Sequence, residues 1–180
     1  MPATALLIID VQQGLCEGEH DSFESPQVIA RINTLSDKAR AAGAPVVFIQ
    51  HESTSGYLEH GTNAWQLARG LRTEPSDLRV RKTASDSFHR TELEQVLRQH
   101  AVTDLVICGM HSEFCVDVTT RRALALGYPV VVVSDGHTTE DRAHLSAVQI
   151  IRHTNATLAE VWSFGPRARP VPAAEVRFGA

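Results

Sequence analysis

Leu126-Gly-Tyr-Pro-Val-Val-Val-Val133 decides the fold. A glycine after a helical stretch closes the helix, and a proline shortly beyond prevents it from resuming. The four valines that follow offer no polar face. A strand apolar on both sides must be covered on both sides, which is the position of a strand in a parallel sheet. Ala42-Gly-Ala-Pro-Val-Val47 has the same form. This is one piece of local chemistry used twice, not a duplication.

Working outward, short apolar runs alternate with longer amphipathic stretches. Strands are expected at Ala5–Ile9, Pro45–Ile49, Leu78–Lys82, Asp104–Cys108 and Pro129–Val133, with a last short one at Thr157–Leu158. Helices are expected at Pro26–Ala42, Thr91–Gln99, Ser112–Leu126 and Asp141–Arg152. The pattern predicts an α/β protein, a three-layer doubly wound sandwich around a central parallel sheet of five or six strands. The span from Glu52 to Asp77 has no clear period and holds Gly56, Tyr57, Gly61, Trp65, Gly70 and Pro75. Such a long irregular insert reads as a lid or binding segment.

At 180 residues the chain is expected to be a single domain over 1–180. The net charge is −4, evenly split between the halves, with no basic patch, so nucleic acid is not an expected partner. No apolar run approaches the roughly 20 residues of a membrane helix, so no membrane partner is expected. Asp10 ends the first apolar run too early for a signal peptide. Three cysteines, Cys16, Cys108 and Cys115, cannot all pair within the chain. An odd, sparse count fits a reducing, cytoplasmic setting and leaves room for a reactive thiol.

In parallel sheets the ligand site lies beyond the carboxyl ends of the strands. Asp10 follows the first strand, Lys82 ends the third, and Gly109-Met-His-Ser-Glu-Phe-Cys115 follows the fourth. With Ser112 as helix N-cap, Cys115 falls in the first turn, where free N–H groups and the helix dipole favour a thiolate. Those N–H groups could also hold an oxyanion. Cys115 is then either a nucleophile or a small buried residue on an apolar helix face. Asp10 is either a general base or a turn cap. Lys82, by spacing alone, reads as a solvated edge-strand lysine. Cys108 and Asp135 read as a buried strand residue and a turn or cap residue, and Cys16 as a loop residue near Asp10.

Leu6-Leu-Ile-Ile-Asp-Val-Gln12, Lys82 with Ser87-Phe88 and Thr91, and Gly109-Met-His-Ser-Glu-Phe-Cys-Val116 together resemble the isochorismatase-like cysteine hydrolases, on the nicotinamidase-related branch. Thr119, Thr120, Ala123 and Gly127–Asp135 extend the resemblance, which runs from about Ala5 to Glu160. It implies a catalytic triad of Asp10, Lys82 and Cys115. It also implies a cis peptide between Met110 and His111, and an oxyanion hole built from the N–H groups of His111 and Cys115. His111 departs from the small residue or threonine more common there. The implied reaction is hydrolysis of the C–N bond of a small amide through a thioester, releasing ammonia or an amine. Alternatives are isochorismatase-type vinyl ether hydrolysis, which needs no thiol nucleophile, and a non-catalytic or redox-sensing small-molecule binder.

Candidate pocket residues are Gln12, Leu15, Trp65, Phe88 and Phe114, with Cys16 nearby. A homo-oligomer is implied, a dimer foremost, with Glu52–Asp77 near the partner. Nicotinamidases of this superfamily carry a metal on Asp-x-His and a later His, just after the second strand. Here the matching stretch is His51-Glu-Ser53, with His60 beyond. No metal and no other cofactor is expected, because these residues lack the spacing of known sites.

Overall fold

The computed structural model describes residues 3–18 and 21–179. Along the chain run β1 (Ala3–Ile9), α1 (Gln13–Cys16), α2 (Ser25–Ala41), β2 (Val46–His51), β3 (Leu78–Lys82) and α3 (Leu93–Gln99). Then come β4 (Val102–Met110), a single π-helical turn (Ser112–Val116), α4 (Asp117–Ala125), β5 (Val130–Thr138), α5 (Ala147–Ala159) and β6 (Ala168–Val171). All six strands are parallel, in the order β3-β2-β1-β4-β5-β6. The chain winds outward from β1 to β3, then returns to place β4 on the other side of β1. In sheets of this kind ligands bind at that reversal, which here lies beyond the carboxyl ends of β1 and β4.

Strand alternation sends side chains to two cores. Leu7, Ile9, Val47, Ile49, Leu105 and Ile107 pack with Leu93, Leu97, Ala123, Leu124 and Leu158 of α3, α4 and α5. Leu6, Ile8, Val46, Phe48, Val106 and Cys108 face Val28, Ile32 and Leu35 of α2, with Ala173 and Val176 from the C-terminal segment. Each such side chain contributes about 1.5–3 kcal/mol by leaving water, and neither face could be left bare. Among the described residues no helix is long and apolar enough to cross a membrane.

Four expected elements differ. Thr157–Leu158 is not a strand; it ends α5, which starts at Ala147 rather than Asp141 because Ser146 and Gln149 form a capping box. The residues ahead of it make a tight turn instead, with Arg142 bridged to Leu145. The last strand is β6, whose Pro170 is accommodated at a sheet edge, where a missing N–H leaves no ladder partner short. The helix expected over Ser112–Leu126 begins as a π turn, and Ser112 does not cap it: its hydroxyl bonds His137. Finally, β5 runs on through Ser134–Thr138, past a bulge that shifts its register against β4.

Gly109 lies where β4 passes β1, at φ +119°, and a Cβ there would sit 2.0 Å from the Ile9 carbonyl oxygen. No L side chain relieves that overlap without separating the two central strands. Gly109→Ala is expected to cost more than about 3 kcal/mol. A thermal melt reads it; an unshifted midpoint would contradict the close approach.

Candidate active site

Three strand ends converge on one buried ionic cluster. Lys82 Nζ lies 2.7 Å from Asp10 Oδ2, with both side chains almost wholly out of solvent. The same ammonium donates to Cys115 Sγ at 3.1 Å and to the Ala84 carbonyl at 3.1 Å. Its fourth neighbour is His51 Nδ1, at 3.4 Å. Lys82 is thus not a solvated edge lysine. Although β3 is an edge strand, its last residue pairs with His51 of β2, and its side chain is buried among Asp10, His51, Ala84 and Cys115. Burial alone would draw the ammonium down, but Asp10 and Cys115 outweigh it and hold Lys82 above its ordinary value.

Asp10 follows β1 at φ +53°, its N–H donating to the Ile49 carbonyl at 2.8 Å. Oδ2 is held by Lys82. Oδ1 is buried and, among the described residues, has no hydrogen-bond partner. An orphaned carboxylate oxygen beside a thiol is an open proton acceptor.

Cys115 is the fourth residue of the π turn and is half-buried; Cys16 and Cys108 are buried. The expected stabilised thiolate is not what the resting site favours. Burial pushes the Cys115 thiol up to about 12, with the Asp10 charge adding to the rise and Lys82 opposing it. Burial thus favours the thiol over the thiolate at this position, and an acceptor for its proton favours the anion.

The Met110–His111 peptide is cis. The His111 carbonyl receives the N–H groups of Phe114 and Val116 at 3.1 and 3.2 Å. Burial lowers the His111 imidazole below the usual histidine range, and its Nε2 is buried without a partner.

The suggested pocket residues divide. Gln12 is not an open pocket side chain: its amide clasps the backbone of His51 through both N–H and C=O, and donates to the Trp65 carbonyl. Phe88 belongs to the core, stacked on Tyr128 at 6.3 Å. Leu15 is half-buried against the α2-side core. Trp65 stays half-buried beside His60, its Nε1 without a partner among the described residues, and Phe114 stands 47% exposed under the Arg142 guanidinium. Cys16 sits in α1 rather than a loop, its sulfur 3.5 Å from that of Met110. Asp135 is a structural acceptor, for the Ala173 N–H at 2.7 Å.

The irregular segment after β2 lies along α1. Val11, Gln13 and Gly14 exchange backbone bonds with Ala68, Gln66 and Ala64. Gly14 makes this possible, since a Cβ there would come 3.0 Å from the Ala64 methyl.

The metal-binding stretch of nicotinamidases does not fit here. His51 turns Nδ1 to a lysine ammonium and is lowered by burial and by that charge. Glu52 faces Arg81, the Ser53 hydroxyl bonds the carbonyls of Ser55 and Tyr57, and His60 packs on Trp65 at 4.5 Å. A cation bound by His51 would sit against an ammonium.

Sequence reasoning passed over His51 as a neighbour of Lys82, although the strand-end rule that found Lys82 would also have found it. It also passed over Glu113, held by Arg142 and Thr139, and the buried His137.

The chain is similar to known proteins along most of its length. The family model described as the isochorismatase domain matches residues 4–162. A streptothricin hydrolase of Streptomyces noursei is 35% identical over 99% of this chain and 72% of its own length. A ureidoacrylate amidohydrolase, RutB, of Pseudomonas syringae pv. syringae is 28% identical over 73% of this chain and 69% of its own. A crystal structure of an isochorismatase family protein superposes with a TM-score of 0.85 at 37% identity, covering 95% of this chain and 99% of that one. This chain belongs to the isochorismatase family of hydrolases.

Proposed function

We propose that this protein hydrolyses the C–N bond of a small amide by nucleophilic catalysis at Cys115. One observation carries the reading: the chain Asp10 Oδ2, Lys82 Nζ, Cys115 Sγ, with links of 2.7 and 3.1 Å, buried at the carboxyl edge of the sheet. The named activity of the ureidoacrylate amidohydrolase lends support.

Asp10 Oδ1 takes the thiol proton as the sulfur attacks the amide carbonyl. A thiol raised to about 12 makes this coupling necessary, because little free thiolate exists at neutral pH. Lys82 stabilises the thiolate and keeps Asp10 in place. The tetrahedral oxyanion is received by the N–H groups of His111 and Cys115. Asp10 passes the proton to the leaving nitrogen, which departs as ammonia or an amine. A water, deprotonated by Asp10, then attacks the thioester, and the carboxylic acid leaves as the thiol is restored. Vinyl ether hydrolysis gives no role to Cys115.

Ammonia release from a panel of simple carboxamides tests the reading. Turnover that iodoacetamide abolishes supports it. Hydrolysis of isochorismate that survives alkylation of Cys115 would point to the vinyl ether alternative, and no turnover at all to a binder. The reading includes independence of metal: dialysis against a chelator is expected to leave amidase activity unchanged. Loss on chelation with recovery on adding zinc would overturn that part. It also includes a homodimer with the insert near its partner, and light scattering at the mass of one chain would contradict it.

A further inference from the structure

His137 is a buried titratable side chain that the mechanism above does not use, only 1% exposed. Its place comes from the bulge in β5. Ile107 of β4 faces Val132, yet Gly109 faces His137, so β4 advances two residues where β5 advances five. The extra length loops out through Ser134 and Asp135, and the strand re-enters the ladder in time to put His137 beneath the cysteine-bearing turn.

There it makes two bonds. Nδ1 is 2.7 Å from the Ser112 hydroxyl, and Nε2 is 3.0 Å from Asn155 Oδ1. Asn155 donates its amide N–H to the Ser134 carbonyl at 2.9 Å. A carbonyl only accepts, so Asn155 must turn its oxygen toward the imidazole. Nε2 therefore carries the ring proton, Nδ1 is bare, and the Ser112 hydroxyl donates to it. The network admits one tautomer and one direction. Just past the end of β5, Thr139 donates to Glu113 Oε1 at 3.0 Å. The end of β5 and the residue just past it thus hold successive residues of the turn, 112 and 113, just ahead of Cys115.

We propose that His137 is a positioning residue for the hydrolysis: through Ser112 it fixes the turn that sets Cys115 Sγ against Lys82 and aims the His111 N–H. This rests on Cys115 being the nucleophile. Ser112 opens the π turn that carries Cys115 as its fourth residue, so the anchor on its hydroxyl bears on where that fourth residue points. A misplacement near 1 Å at a reacting centre costs up to about 100-fold in rate.

The test compares Ser112→Ala, Ser112→Thr, His137→Leu and His137→Asn in the full chain. Ser112→Ala deletes one oxygen, and Ser112→Thr keeps the donor. His137→Leu removes the acceptor, while His137→Asn places a carbonyl oxygen near the Nδ1 position. Among variants still folded at the assay temperature, Ser112→Ala and His137→Leu are expected to lower kcat about 10–100-fold, with KM changed less than about twofold. Ser112→Thr and His137→Asn are expected to recover kcat to within about threefold of wild type. If His137→Leu does not fold, Ser112→Ala and its threonine counterpart decide alone. A folded Ser112→Ala with wild-type kcat overturns the proposal, as does a loss that threonine fails to restore. The rate of Cys115 alkylation by iodoacetamide is read in the same variants and needs no substrate. A changed rate in Ser112→Ala that returns in Ser112→Thr upholds the positioning role even if no amide is turned over; an unchanged rate with intact amidase activity overturns it alone.

Discussion

Cys115→Ala is expected to remove hydrolysis, by about 10⁴–10⁶-fold, while the fold persists. The loss is large because no other group can form the acyl intermediate: Cys16 packs on Met110 and Cys108 is buried in β4. The fold persists because Cys115 is half-buried, and its removal leaves Lys82 with Asp10 and the Ala84 carbonyl. The melting temperature should move by no more than about 4 °C, the shift expected for about 1 kcal/mol in a chain of this size. Mass spectrometry of wild type with a slow amide should also show an acyl adduct on the peptide carrying Cys115. Retained turnover in the alanine variant, or an adduct elsewhere, would move the nucleophile away from this residue.

The second large effect separates the two charges that flank the sulfur. Asp10→Asn and Lys82→Met should each lower turnover about 10²–10⁴-fold, and the double variant should lose little more, since the groups act as a unit. Alkylation of Cys115 should move in opposite directions. The thiol is raised first by burial and then by Asp10, and is lowered by Lys82. Neutralising Asp10 therefore lowers the thiol and increases the thiolate fraction; removing Lys82 raises the thiol and decreases it. A neighbouring charge at this distance shifts a thiol by about 1–3 pH units. About half of that is offset by the weaker nucleophilicity of a less basic sulfur, which leaves a rate change of roughly 3–30-fold in each direction. In wild type the rate should rise about tenfold per pH unit from neutrality until the thiol titrates. Faster labelling in both variants, or in neither, would show that the carboxylate and the ammonium do not govern this sulfur.

Much of the molecule was legible in the chain because it depends on local chemistry. Ala5–Ile9 and Val130–Val133 have no polar face, so they had to be buried parallel strands. Gly43 and Gly127 had to end helices. The strand-end rule brought Asp10, Lys82 and Cys115 to one edge of the sheet, because parallel strands all deliver their carboxyl ends to the same side. The motif around Cys115 was enough to suggest the family.

Tertiary structure decided what depends on neighbours distant in sequence. Pro170 reads as a strand breaker until β6 is seen at the sheet edge, where no partner needs its N–H. Lys82 reads as solvated until Asp10, His51 and Cys115 are found around its ammonium. Phe88 reads as a pocket wall until Tyr128 is found stacked on it. Burial favours the thiol at Cys115 where the helix terminus alone suggested a thiolate, because a terminus acts locally, whereas desolvation is a sum over everything packed around the sulfur. His137 carried no signal in the sequence at all. Its place beneath Ser112 depends on a register shift between two strands, and pairing register is a property of the assembled sheet.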